Sequence, residues 1–237
     1  AAADAMLLHM QAMGADDAAI HRAYYARVLP LQADESAPSG EYSLEDLAEY
    51  ITSWCYELLR GVRWSLEYYL LGVPSWRWFF PRHHAPLLVD VAASLLLAPG
   101  CGRASPSARA PPHSPRLPHL AADLARGPWE SSRPHRPLEQ LLSVLPPASA
   151  SLLPKPYADL LVTASADEAH PLRRYFPTDY PIEKDPKNRP WRDVALIPFI
   201  DEAKLMAEVR AIGADALSAA ERERNSTGTA LAFAFDP

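Results

Sequence analysis

Two tryptophans, two phenylalanines, two arginines and two histidines fall within "PSWRWFFPRHHAP", residues 74 to 86. Trp76 and Trp78 alternate around Arg77, so an extended backbone would point both rings the same way. Flat rings beside cations are what unpaired nucleic acid uses, because bases stack on rings and arginine meets phosphate. Stacking is worth about 1–3 kcal/mol per base, so one well-placed ring matters. Trp76, Trp78, Arg77, Arg82 and His83 form the candidate binding set. The competing reading is core filling, since Trp and Phe bury large areas. A purely apolar plug has no use for Arg77, Arg82 and His83.

Other chemistry is sparse. The nine glycines are scattered and build no phosphate loop, and neither G-x-S-x-G nor H-E-x-x-H occurs. His83 and His84 are adjacent, which points them apart on most backbones and makes a poor pair of metal ligands. A two-metal nuclease needs several carboxylates converging on one spot. Asp179, Glu183 and Asp185 share their segment with Lys184, Lys187 and Arg189, which reads as a solvated turn. Asp201 and Glu202 are accounted for by a helix start. No metal is placed on this chain.

The elements that must hold the aromatic stretch are helical. "SLEDLAEYITSWCYELLRGVRWSLEYYLLG" opens with Ser43 as N-cap and Asp46 in the reciprocal position. Leu44, Leu47, Ile51, Trp54, Leu58, Val62, Leu66 and Tyr69 recur at three- and four-residue spacing. Gly72 ends the helix and Pro74 forbids its return. The stripe is wide, so this helix of about eight turns is expected to be central and mostly buried. The aromatic stretch begins where it stops. Upstream, residues 17–29 read as a helix with Ile20, Tyr24 and Val28 on one stripe and Asp16 or Asp17 as cap. Downstream, "APLLVDVAASLLL" reads as a helix with Pro86 in its first turn.

Further short helices are read in "RPLEQLLSVLPP", "PKPYADLLVTA", "DEAKLMAEVRAIG" with Asp201 as cap and Gly213 past its end, and "SAAERERN" with a Ser218–Glu221 capping box. "YFPTDYPIEKDPKNRPW" reads as turn-rich, and "DVALIPFI" as a short buried strand or tight apolar segment. The fold class is mainly α: an irregular helical domain with proline-rich connecting loops and little or no sheet. The segments are 1–42 (N-terminal helix and linker), 43–98 (long helix, aromatic turn and following helix), 99–136 (a Pro/Arg-rich insertion expected to be disordered) and 137–237. Residues 99 to 120 hold six prolines and three arginines without an acid. Such composition cannot fill a core, so a surface insertion is the simpler reading beside an RNA-attracting arm.

Composition sets the outer limits. The chain has 237 residues, 49% of them apolar, enough to bury a core. Its 25 prolines are about twice the average share of roughly 5%. A formal charge of −6 excludes a bulk coat for nucleic acid, so any such contact must be local. No apolar run of about 18 residues exists to cross a bilayer, and "AAADAMLLHM" lacks the basic region of a signal peptide. Two cysteines, Cys55 and Cys101, build no disulfide framework, which fits an intracellular location.

Taken together, "LLRGVRWSLEYYLLGVPSWRWFFPRHHAP" resembles the helix and aromatic turn of the Xrn-type 5'-to-3' exoribonucleases, whose pattern there is roughly G-x-x-W-V-L-x-Y-Y-x-x-G-x-x-S-W-x-W-Y-Y-P-Y-H-Y-A-P. "AIHRAYYARVL", "RPLEQLLSVLPPASASLLPKPY", "YFPTDYPIEKDPKNRPWRDVALIPFIDEAKL" and "ERERNSTG" are similar to the neighbouring segments, in the same order. The resemblance covers roughly residues 18 to 230 without the insertion. It implies the second, helical conserved region of a nuclease that removes nucleotides from single-stranded RNA bearing a 5'-monophosphate. It also implies that the catalytic carboxylates, the 5'-phosphate pocket and the divalent metal (Mg) belong to an upstream nuclease region. That region would be this chain's partner, and the chain alone would be inactive and hold no cofactor. Trp76 or Trp78 would stack on the leading bases. Phe79-Phe80-Pro81-Arg82-His83-His84 replaces the family's Y-Y-P-Y-H-Y, so hydroxyls are lost and charge is gained. The family has nuclear and cytoplasmic branches. The alternative function is a helical protein–protein scaffold with an exposed aromatic patch.

Overall fold

In the computed structural model, residues 2–31, 43–96, 129–185, 187–229, 231 and 233–234 are described. Of the expected insertion, residues 99–128 therefore lie outside the described residues. The chain divides into two compact units, Ala1–Arg133 and Pro134–Pro237. Helices dominate both, and the sheet among the described residues amounts to two short strands.

The first unit contains α1 (Ala2–Gln11), α2 (Ala15–Val28), α3 (Leu44–Leu71) and α4 (Leu88–Leu96). The start of α3 follows its sequence signal. Ser43 Oγ accepts from the Asp46 amide and the Asp46 carboxylate accepts from the Ser43 amide. Gly72, at φ +95°, stops the helix in a conformation that side chains rarely adopt. Leu47, Ala48, Ile51, Trp54 and Cys55 of α3 pack with Met6 of α1, Tyr25 and Val28 of α2, and Val91 and Ala93 of α4. Only the first half of α3 is buried. Val62, Leu66, Tyr69, Leu70 and Leu71 in the second half are all at least 59% exposed, which corrects the expectation of a mostly buried rod. The apolar stripe continues past the point where α1, α2 and α4 cover it.

Helix α1 has no counterpart in the sequence reading, yet its Met6 is among the most deeply buried side chains. On α2 the buried residues are His21, Tyr25 and Val28, whereas Ile20 is 65% exposed. The N-cap is Gly14, with no side-chain bond from Asp16 or Asp17. The buried face of α2 is polar because it serves a buried carboxylate. Asp90 of α4 is fully buried. It accepts from the Tyr25 hydroxyl at 2.6 Å, lies 3.2 Å from His21 Nε2, and 3.4 Å from His9 Nε2 of α1. Asp90 thus meets side chains of two other helices, and a buried polar group is tolerable only with such partners. Burial beside Asp90 pushes the Tyr25 phenol far above its ordinary range.

The second unit contains α5 (Pro137–Val144), α6 (Lys155–Ala166), α7 (Glu202–Ile212) and α8 (Ala219–Arg224), with β1 (Ile182–Glu183) and β2 (Val194–Ala195) paired antiparallel. Leu138, Leu142, Tyr157, Leu161, Leu172, Phe176, Leu205 and Leu217 form its core. Asp201 caps α7 by accepting from the Lys204 amide, and Ser218 and Glu221 form the capping box of α8. Asn225 Oδ1 accepts from the Leu138 amide at 2.9 Å, fixing the start of α5 from a position 87 residues later. The stretch read as a buried strand contributes only Val194 and Ala195 to pairing, and Val194 is merely half-buried.

Candidate nucleic-acid interface

The site is built on the second half of α3 and the turn that follows it. Ser75 makes the turn: its hydroxyl accepts from the amides of Arg77 and Trp78 at 3.3 and 3.2 Å, which closes the backbone locally. The Ser75 carbonyl accepts from the Trp64 indole at 3.0 Å, fastening the turn to α3. Beyond the turn, the His84 carbonyl accepts from the Trp54 indole and the Ala85 carbonyl from the Tyr24 hydroxyl. The aromatic stretch is therefore anchored to the helical core at both ends.

Trp76 and Trp78 have different surroundings. Trp78 is half-buried. Its ring stacks on Trp64 at 6.5 Å between centroids and 30° between planes, and meets Trp129 edge-on at 5.5 Å and 64°. Trp64 in turn stacks on Tyr68 at 5.4 Å, nearly parallel. Trp76 is 52% exposed. Its backbone is held instead: the Trp76 amide donates to the Ser132 hydroxyl at 2.8 Å. Phe79 nearby is also half exposed.

Trp129 and Ser132 come from the segment that sequence reading assigns to the insertion, and both pack against the turn. The Trp129 indole donates to Glu67 Oε2. Glu67 Oε1 accepts from Arg63 Nε at 2.6 Å, and the Arg63 guanidinium lies over Trp129 at 5.0 Å. Arg60 sits 4.9 Å from the Trp129 centroid and 6.0 Å from that of Trp78. Trp64, Trp129, Arg60 and Glu67 are site residues absent from the candidate set drawn from sequence. Arg60, Trp64 and Glu67 follow one another at helical spacings of four and three on α3, a ladder that the sequence displays. Trp129 carries no local signal.

Arg77 is about half exposed and pairs with Glu130 at 3.2 Å. Arg82 is buried: its side chain is 4% exposed, pairs with Glu57 at 2.7 Å, donates to the Tyr50 hydroxyl, and lies over the Tyr50 ring at 4.7 Å. Burial, with His84 alongside, holds the His83 imidazole below its ordinary range, which favours the neutral ring at neutral pH. Among the described residues, no group of three or more His, Cys, Asp or Glu side chains is placed to hold a metal ion. Asp185 pairs with Arg189 and Lys184 with Asp193, so the acidic loop is occupied by local ion pairs. No helix among the described residues is long and apolar enough to cross a membrane.

The family model of the Xrn1 helical domain matches residues 44–95 and 122–235, which take in α3, the aromatic turn and nearly all of the second unit. The chain belongs to this family, the helical domain of 5'-3' exoribonucleases. It is similar to 5'-3' exoribonuclease 1 of Saccharomyces cerevisiae, 29% identical over 192 residues covering 81% of this chain and 10% of that protein. Human 5'-3' exoribonuclease 1 is 32% identical over 182 residues, covering 77% of this chain and 9% of that protein. Saccharomyces cerevisiae 5'-3' exoribonuclease 2 is 34% identical over 174 residues, covering 73% and 14%. The chain thus spans a small fraction of the length of these relatives.

Proposed function

We propose that this chain serves as the helical part of a 5'-to-3' exoribonuclease acting on single-stranded RNA with a 5'-monophosphate, where it shapes the substrate path and offers a ring to the incoming bases. The observation that carries this reading is the division of labour between the two turn tryptophans. Trp78 is committed to a stack with Trp64 and Trp129, while Trp76 keeps about half its surface open on a backbone fixed by Ser132. An open ring on a rigid mount is suited to sequence-tolerant stacking. Arg77 can exchange the exposed Glu130 for a phosphate at small cost, since exposed ion pairs are weak. Arg82, buried against Glu57, acts in this reading by holding the turn rather than by touching RNA. His83 contributes a neutral ring.

The hydrolytic chemistry in this proposal belongs to a nuclease region outside these residues, the partner of this chain, together with its divalent metal, Mg. The described residues do not fit such a metal. The chain alone is then inactive, and its setting is intracellular, nuclear or cytoplasmic. The test is titration of a single-stranded oligoribonucleotide at two salt concentrations. Affinity that falls with salt and drops several-fold in Trp76→Ala supports the reading; indifference to both overturns it. A second reading, a protein-binding scaffold, draws on the exposed apolar second half of α3. It is favoured if the chain ignores RNA and captures the nuclease region with salt-insensitive affinity.

A further inference from the structure

Helix α3 and the aromatic turn carry four arginines, and three have a carboxylate: Arg63 pairs with Glu67, Arg77 with Glu130 and Arg82 with Glu57. Arg60 has none among the described residues. Its guanidinium is held by rings instead, over Trp129 at 4.9 Å and near Trp78 at 6.0 Å. The ring faces fix the guanidinium and leave its edge donors without an anion. A half-buried arginine that is oriented yet uncompensated is a source of local positive potential in an otherwise acidic chain. The paired arginines contribute little such field, because each has its counter-charge within 3.2 Å.

We infer that Arg60 is a phosphate-binding residue of this face, and that its ligand is a phosphodiester of single-stranded RNA whose base meets the open ring of Trp76. The inference rests on the RNA reading proposed above and adds to it a residue outside the aromatic turn. Trp129 and Glu67 become positioning residues in this scheme. Glu67 orients the Trp129 indole and neutralises Arg63, so that among the arginines of α3 and the aromatic turn Arg60 is the one without a counter-charge. Guanidinium geometry suits phosphate, since two parallel N–H groups can meet two oxygens.

The experiment uses the full 237-residue chain and a fluorescein-labelled oligouridylate, titrated by anisotropy across a salt series. Each lost contact to a single strand lowers the slope of log K against log salt by about 0.7. Arg60→Gln is expected to show that reduction, with a several-fold loss of affinity at low salt. Arg60→Lys keeps the charge and should keep the slope. If Arg60→Gln loses its helical circular dichroism, Arg60→Met, which retains an unbranched stem over the rings, takes its place. An unchanged slope in the folded neutral variant, with Trp76→Ala still weakening binding, overturns the role of Arg60 and leaves the RNA reading intact. Absence of salt-dependent binding by the unaltered chain overturns both.

Discussion

A Cβ placed on Gly61 would lie 3.0 Å from Cη2 of Trp78. The indole therefore rests on the α3 backbone, in a place that any side chain at position 61 would contest. Alanine there gains about 1 kcal/mol of helix propensity over glycine, set against displacement of a ring packed between Trp64 and Trp129. Gly61→Val, larger and β-branched, is expected to lower stability by about 1–3 kcal/mol through overpacking. Chemical denaturation measures the loss, and a changed near-ultraviolet dichroism of the tryptophans shows where it arises.

The two turn tryptophans are expected to separate stability from binding. Trp78→Ala removes the middle of a stack and should destabilise the first unit by about 2 kcal/mol or more. Trp76→Ala, with its ring half in solvent, should leave the unfolding midpoint almost unchanged while costing about 1–3 kcal/mol of RNA affinity. Thermal unfolding and oligonucleotide titration of both variants check this; equal stability losses would contradict it.

Asp90 is the node that joins α1, α2 and α4. Asp90→Ala leaves the buried Tyr25 hydroxyl and His21 imidazole without their acceptor, at an expected cost of about 3–5 kcal/mol. Hydrogen exchange should accelerate in all three helices together. Replacing Asp90 and Tyr25 jointly by Leu and Phe should recover part of the loss, because the buried polar groups then disappear in pairs.

The acidic loop carries a pH signature. The Arg189 guanidinium holds the Asp185 carboxyl at about 2, below its ordinary 3.8. A depressed folded-state value means that the ionised carboxyl stabilises the fold above about 3.8 and that this support is lost as pH falls toward about 2. The unfolding midpoint of the second unit is expected to decline across that window, and Asp185→Asn to flatten the decline. Nuclear magnetic resonance titration of the Asp185 carboxyl carbon measures the value directly.

How much of this is legible in the chain follows from the distance between partners. Ser43 with Asp46, Ser218 with Glu221, and Asp201 with the Lys204 amide are neighbours three residues apart, and each cap can be read from its own segment. Tyr25 and His21 fall off the apolar stripe of α2 because their partner, Asp90, lies more than 60 residues away. A polar helix face looks wet until its buried counter-charge is known. Composition reveals the aromatic turn, yet its division into an open and a packed ring depends on Trp129, 62 residues beyond the Glu67 that holds it. Arg82 looks like an RNA-facing cation because its partner, Glu57, lies 25 residues earlier on α3. The extent of α3 is readable and its half-exposure is not, since periodicity reports which face is apolar and never what covers it.

The bare second half of α3 also governs how the isolated chain behaves in the tube. Val62, Leu66, Tyr69, Leu70 and Leu71 crowd the far end of a rod whose first half packs in the core, so that end is expected to drive self-association. Sulfate or phosphate, which strengthen apolar association, will turn a clear preparation cloudy well before chloride does at the same ionic strength, and replacing Leu70 and Leu71 with lysine will keep it clear.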